Sequence, residues 1–166
     1  MMECDRTRGF TMIELMTVIA IIGILSLVAL PKFQSTMEHY RLDGSTQAVI
    51  AELKYAKQIA MDQRRPSYVV LNSDGVSVYQ NQDGHYVELE QKKFEPGITF
   101  QADASRNSWI SAFTDLSTGQ LLGYGVHFDF RGFVSDSGTI WLESKNQRWV
   151  GVNIEPQTGY IRVNWE

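Results

Sequence analysis

Gly9-Phe10-Thr11-Met12-Ile13-Glu14, continuing through Leu15-Met-Thr-Val-Ile-Ala-Ile-Ile-Gly-Ile-Leu-Ser-Leu-Val-Ala-Leu30 to Pro31, decides how this chain is built. After Glu14 no side chain is ionisable before Lys32, and only Thr17, Gly23 and Ser26 interrupt the strongly apolar residues before Pro31. Phe10 to Pro31 approaches the roughly 20 residues that a helix needs to cross a bilayer. A carboxylate in such a run costs roughly 2–3 kcal/mol or more at the bilayer centre, so Glu14 reads as a functional residue. Gly9 offers bare backbone just ahead of the run, as a protease at the membrane face requires. Arg6 and Arg8 favour keeping that end in the cytoplasm. A secretory signal would be cut after the apolar run, yet Leu27-Val28-Ala29 before Leu30-Pro31 is a poor small-residue site. The run is therefore expected to stay in the mature chain.

The Gly9-Phe10-Thr11-Met12-Ile13-Glu14 stretch resembles the processing site of type IV prepilins and of type II secretion pseudopilins. The resemblance implies cleavage by a prepilin peptidase between Gly9 and Phe10 and methylation of the new N-terminal amine of Phe10. With Phe10 as first residue, Glu14 takes the position of the family's acid, and Pro31 falls where the family commonly has a helix-kinking proline. By the same resemblance Glu14 pairs with the N-terminal amine of a neighbouring subunit during assembly. A carboxylate in an apolar bundle needs such a partner.

Composition bounds the remainder. A chain of 166 residues suits one domain on a long membrane helix. Its formal charge of −4 is unaltered by loss of residues 1–9, which hold Glu3 and Asp5 against Arg6 and Arg8. That balance lends nothing to nonspecific nucleic-acid binding, which depends on neutralising phosphates. The single cysteine, Cys4, precedes the cleavage site, so the mature protein is expected to carry no disulfide despite an oxidising compartment.

From Pro31 onward the pattern becomes one-sided. Phe33, Met37 and Tyr40, then Val49, Leu53, Ala56 and Ala60, recur at helical spacing, while Lys32, Glu38, Arg41, Glu52, Lys54, Lys57 and Asp62 fill other faces. An amphipathic continuation of the membrane helix is predicted, with bends at Pro31 and Gly44 and an end at Arg64-Arg65-Pro66. Beyond Pro66 the period drops to two. Strands are predicted at 67–72, 76–80, 86–90, 98–100, 126–130, 139–143, 150–154 and 160–165, with Asp74-Gly75 and Asp83-Gly84 supplying hairpin turns of positive φ. Gly132, Gly138 and Gly159 read as further turns. Residues 102–123, including Trp109, Ile110 and Phe113, are expected to be irregular. The fold class is α+β, a long N-terminal helix against a predominantly antiparallel sheet. The organisation expected is 1–9 leader, 10–31 transmembrane and assembly helix, 32–65 amphipathic continuation and 66–166 β domain.

Within that domain Leu53, Ala56, Lys57, Ala60 and Arg64, then Phe130-Arg-Gly-Phe133, Ser137-Gly-Thr-Ile140, Val152-Asn-Ile154 and Gly159-Tyr-Ile-Arg162, resemble the GspH/FimT group. The group comprises minor pseudopilins of type II secretion and minor pilins of type IV pili. The resemblance implies a non-enzymatic structural subunit of a pseudopilus or pilus. Its partners would be other pilins or pseudopilins, the prepilin peptidase and the inner-membrane assembly platform. It would sit as a single-pass protein in the bacterial inner membrane, with its C-terminal domain periplasmic before entering the filament.

Other chemistries fit the residues less well. Asp136-Ser137-Gly138 lacks a base arrangement among His39, His85 and His127. Neither a histidine pair at ligand spacing nor a calcium-loop pattern at Asn72, Asp74, Asn81 and Asp83 is present, so no metal or cofactor is expected. The alternative functions are a filament-tip receptor or adhesin, using the 102–123 region with Trp109 and Phe113, and a DNA-uptake minor pilin. Some minor pilins bind DNA through arginines that follow a C-terminal glycine. Here Gly159-Tyr160-Ile161-Arg162 retains only Arg162 as a DNA contact, with Arg106, Lys145, Arg148 and Trp149 as candidate additions.

Overall fold

A computed structural model describes residues 9–82, 84–100, 106, 110–115, 118–134, 138–156 and 158–165, with the side chains of 28–31 outside that description. The order is one helix, α1 (Met12–Gln63), then strands β1 (Ser67–Asn72), β2 (Gly75–Gln82), β3 (His85–Lys93), β4 (Ile98–Phe100), β5 (Ser111–Thr114), β6 (Leu121–Phe128), β7 (Gly138–Ser144), β8 (Trp149–Ile154) and β9 (Ile161–Trp165). The chain divides into two compact units at Met37 and Glu38. Cys4 lies outside the described residues, as does the kink expected at Pro31.

In the first unit the helical residues up to Leu27 are exposed on every face, including Ile13, Met16, Ile19, Ile22, Leu25 and Leu27. Thr17 and Ser26, which interrupt the apolar run, donate their hydroxyls back to the Ile13 and Ile22 carbonyls at 2.8 and 2.7 Å. Their polar groups are thereby satisfied within the helix. Among the described residues no single helix is long and apolar enough to cross a membrane. Met12–Leu27 passes by length and composition only together with Lys32–Gln63.

The second unit, Glu38–Glu166, is built on the rest of α1. Leu42, Thr46, Val49, Leu53, Ala56 and Ala60 are buried at alternating spacings of four and three, one stripe of the helix. Phe33, Met37 and Tyr40, predicted to lead that stripe, are exposed, and the buried face begins at Leu42 instead. Gly44 does not interrupt the helix. The helix ends with Arg64 at φ 53°, and the Arg65 amide reaches back to the Ala60 carbonyl at 3.2 Å. A residue in the left-handed region with this back-reaching bond is a common C-terminal stop, and Pro66 follows it.

Two antiparallel sheets share this helix. The first has strand order β3-β2-β1-β6-β5 and the second β4-β7-β8-β9. The α1 stripe joins one apolar cluster with Val69, Leu71, Val76, Val78, Val126 and Phe128 of the first sheet and with Ile98, Phe100, Ile140, Leu142, Val150, Val152 and Ile154 of the second. Ser67 adds a hydrogen bond to the helix, its hydroxyl donating to the Ala56 carbonyl at 2.6 Å.

Three sequence expectations are corrected here. Asp74-Gly75 does not make a positive-φ turn. Gly75 pairs with Asn72 inside the hairpin, and a Cβ there would lie 2.7 Å from the Lys92 carbonyl oxygen, so glycine serves the close approach of β3. Gly138 opens β7 opposite Ile154 and is not a turn. The stretch expected to be irregular contains β5 and the start of β6. Ser-Ala-Phe-Thr is too short to show a period, and Gly123 and Gly125 erase the alternation in β6.

Glu52, assigned by sequence to a polar face, is also corrected: it is 2% exposed, with one oxygen 3.2 Å from the Lys92 ammonium and the other without a hydrogen-bond partner. Lys92→Met should destabilise the fold by roughly 1–3 kcal/mol, because it strands a buried carboxylate. Adding Glu52→Gln should recover part of that loss. Urea denaturation of the two variants checks both outcomes.

Candidate functional site

The N-terminal segment is built from backbone outward. Thr11 stands immediately before α1, and its hydroxyl accepts the Glu14 amide at 3.3 Å while its carbonyl accepts the Leu15 amide at 3.2 Å. Thr11 is thus an N-cap, an arrangement worth about 1 kcal/mol, with Glu14 at the third helical position where an acid suits the helix dipole. Sequence reading missed Thr11, although threonine three residues ahead of an acid before an apolar run is its signature. Among the described residues no cation lies within ion-pair distance of Glu14. Gly9 is exposed, and a Cβ there would meet nothing within 4 Å. The fold makes no demand for glycine at this position. Phe10 is 85% exposed.

The residues of the second motif group converge on α1. The Lys57 ammonium donates to the Thr158 carbonyl at 2.7 Å. A Cβ on Gly132 would fall 2.9 Å from the Met61 sulfur, and one on Gly159 would fall 2.7 Å from the Gly132 carbonyl oxygen. Both glycines have positive φ, 81° and 58°. Lys57, Gly132 and Gly159, far apart in sequence, therefore form one locked junction where two loops meet the helix. Asp129 organises the first loop: one carboxylate oxygen accepts the Arg131 and Phe133 amides at 2.9 Å, and the other accepts Arg131 Nε at 2.9 Å. Burial acts to raise the Asp129 pKa, but the hydrogen bonds from Phe133 and Arg131 outweigh it and hold the carboxyl below its ordinary 3.8.

The suggested DNA-contact residues are not assembled into a basic groove. Arg162 lies 3.9 Å from the Glu155 carboxylate, which offsets its charge. The Arg106 guanidinium stacks over Trp149 and Trp141, with 4.6 and 5.1 Å to the ring centres. Lys145 and Arg148 are exposed beside that strand. Trp109, Asp136 and Ser137 lie outside the described residues. Among the described residues no group of three or more metal-ligating side chains occurs.

Phe113 is half-buried, not part of an exposed patch. It packs against Tyr86, Tyr68 and Tyr79 with ring centres at 4.6, 5.1 and 5.9 Å, and Tyr68 stacks on His127 at 5.8 Å. Burial raises the phenol pKa of Tyr79, with the Glu88 charge adding to it, and burial also raises that of Tyr86, with Tyr68 adding to it.

With this geometry in view, likeness to known proteins is informative. A family model, the prokaryotic N-terminal methylation motif, matches residues 4–30. Fimbrial protein Q of Moraxella bovis is 50% identical over 50 residues, covering 30% of this chain and 29% of that protein. Fimbrial protein EcpB of Eikenella corrodens is 43% identical over 54 residues, covering 29% and 34%. The chain spans no more than 34% of the length of either relative. The fold is similar to that of the minor pseudopilin EpsH from the Type 2 Secretion System of Vibrio cholerae, with TM-score 0.55 and 13% identity over 75% of this chain and 97% of that one. The chain is pilin-like in motif and in fold.

For a pilin-like chain the two regions separate cleanly. The methylation motif lies in residues 4–30, which take in most of the apolar run, and the pseudopilin likeness belongs to the architecture of helix and sheets. Asp129 serves the second. Its depressed pKa means that its contribution to stability is complete above about pH 4 and fades as the pH falls through the folded-state pKa. Asp129→Asn should therefore lower the unfolding temperature at neutral pH, and the gap from the parent should close on acidification. Thermal unfolding at several pH values measures it.

Proposed function

We propose that this protein is a structural filament subunit, a minor pseudopilin or minor pilin, cut between Gly9 and Phe10 by a prepilin peptidase and methylated at the Phe10 amine. Residues 1–9 are then the leader, 10–31 the transmembrane and assembly helix, 32–65 its amphipathic continuation and 66–166 the β domain. The precursor sits in the bacterial inner membrane with the β domain periplasmic, and the mature chain joins other pilins through the inner-membrane assembly platform. One observation carries the reading: an uncharged helix exposed on all faces follows a capped Glu14 and a glycine that the fold does not need. Such a surface requires cover first from lipid and then from neighbouring helices.

Glu14 gives the order of events. In an apolar bundle its carboxylate is costly unless a cation approaches, and a free N-terminal amine, created only by cleavage, supplies one. At 4 Å and the effective dielectric of a partly shielded pair, that attraction is about 4 kcal/mol. Cleavage thus precedes stable packing.

Gly9→Leu should leave an uncut membrane protein, whereas the parent should yield an N-methylated Phe10 terminus by intact-mass and terminal sequencing. A mature terminus elsewhere would refute the cleavage assignment. Glu14→Gln should still be cut at Gly9 but should fall out of sheared filament fractions by about tenfold or more, the loss of a buried charge pair. Equal incorporation of the glutamine variant would remove Glu14 from the assembly role.

A further inference from the structure

The second unit begins at Glu38, eight residues beyond Leu30, the last apolar residue before Pro31. A tether of that length reaches about 28 Å at full extension and about 12 Å as helix. Whatever the angle between the units, the part of the second unit around Glu38 is therefore held closest to the surface that the apolar run enters.

Three elements distant in sequence meet there. The Asn146 side-chain amide, in the turn between β7 and β8, donates to the Glu38 carboxylate. Trp165, near the end of β9, pairs opposite Val150 on β8, and its indole lies against the His39 ring, 5.3 Å between centres and tilted by 44°. The turn is fixed by its own bonds: the Gln147 amide donates to the Ser144 carbonyl at 3.0 Å, and the Lys145 amide donates to the Gly97 carbonyl at 3.1 Å. What this end shows to solvent is amphipathic. Trp165 is 50% exposed, Tyr40 is 65% exposed, and Lys145 and Arg148 are exposed on the turn. Tryptophan and tyrosine pair an apolar body with a polar tip, which suits the level where lipid meets water. Cations beside them suit lipid phosphates. Glu38, the acid of this cluster, is engaged by Asn146.

We propose that the end of the second unit formed by His39, Tyr40, the 145–148 turn and Trp165 docks on the phospholipid headgroup layer of the bilayer that holds the apolar run. Trp165 and Tyr40 enter the interface, and Lys145 and Arg148 contact lipid phosphates. The inference rests on the reading of residues 10–31 as a transmembrane helix and adds a second, reversible attachment to it. A patch this small would bind a bilayer weakly by itself, but a short tether makes the contact intramolecular and raises its effective concentration to about millimolar. Docking fixes the rotational setting of the β domain about its helix before the chain meets its neighbours.

The test uses the full chain in vesicles of equal parts phosphatidylcholine and phosphatidylglycerol, with and without a headgroup spin-labelled lipid that quenches tryptophan at the interface. The difference between the parent and Trp165→Phe isolates Trp165 from Trp109, Trp141 and Trp149. The spin label should quench that difference by about half or more. Phe130→Trp in the Trp165→Phe background places a reporter beside Gly132, which lies against Met61. Met61 is roughly 33 Å further along α1 than His39, so this reporter should lose less than about a tenth of its signal. Lys145→Gln with Arg148→Gln, two exposed changes, should lower the docked-to-free ratio about tenfold with the unfolding temperature unchanged. Vesicle flotation separates the inference from the reading beneath it. A chain that floats with the vesicles while Trp165 stays unquenched overturns docking and leaves the transmembrane reading standing, and equal quenching at positions 130 and 165 does the same. A chain that does not float overturns both.

Discussion

One stripe of side chains on α1, from Leu42 through Val49, Leu53 and Ala56 to Ala60, holds the second unit together. Each sheet turns apolar side chains toward this stripe, and the helix and both sheets share one apolar cluster. Small residues at Ala56 and Ala60 let backbone come close, close enough for the Ser67 hydroxyl to reach the Ala56 carbonyl and for Lys57 to reach across to the 155–160 loop. The glycines at 132 and 159 follow from that closeness. With side chains there, the two loops could not lie on Lys57 and Met61.

The N-terminal unit obeys the opposite constraint. Among the described residues from Gly9 to Leu27 every helix face is exposed, and Thr17 and Ser26 bond back to their own backbone. An element of this kind is stable where its surroundings are apolar, in lipid or in a bundle of like helices. Glu14 is tolerable at the head of the helix because Thr11 caps that turn and an acid there complements the helix dipole. The two halves of the protein thus divide the work, one shaped by an environment and one by its own core.

Much of this was legible from residues alone. Period-two patterning placed β1 at 67–72 and β4 at 98–100 and found the central residues of five of the other seven strands, β2, β3, β7, β8 and β9, while its 126–130 caught only the end of β6. Legibility failed where pattern and burial part company. β5 is four residues long and owes its existence to pairing with β6. Glu52 reads as a surface acid from helical spacing, yet Lys92 from a distant strand allows it to sit in the core. Phe113 reads as a loop aromatic, but it sits on β5 and packs into a tyrosine cluster.

Sequence by itself determined the N-terminal segment: an acid at a set distance from a glycine and an uncharged apolar run are local properties, and their meaning depends on spacing along one helix. It also determined the class of fold, since a helical period followed by a strand period leaves few ways to bury both. Tertiary structure alone decided which residues meet. The junction of Lys57 with Gly132 and Gly159, the burial of Glu52 and the tyrosine cluster around Phe113 each join residues from separate elements, and only the tertiary packing brings such residues within contact distance.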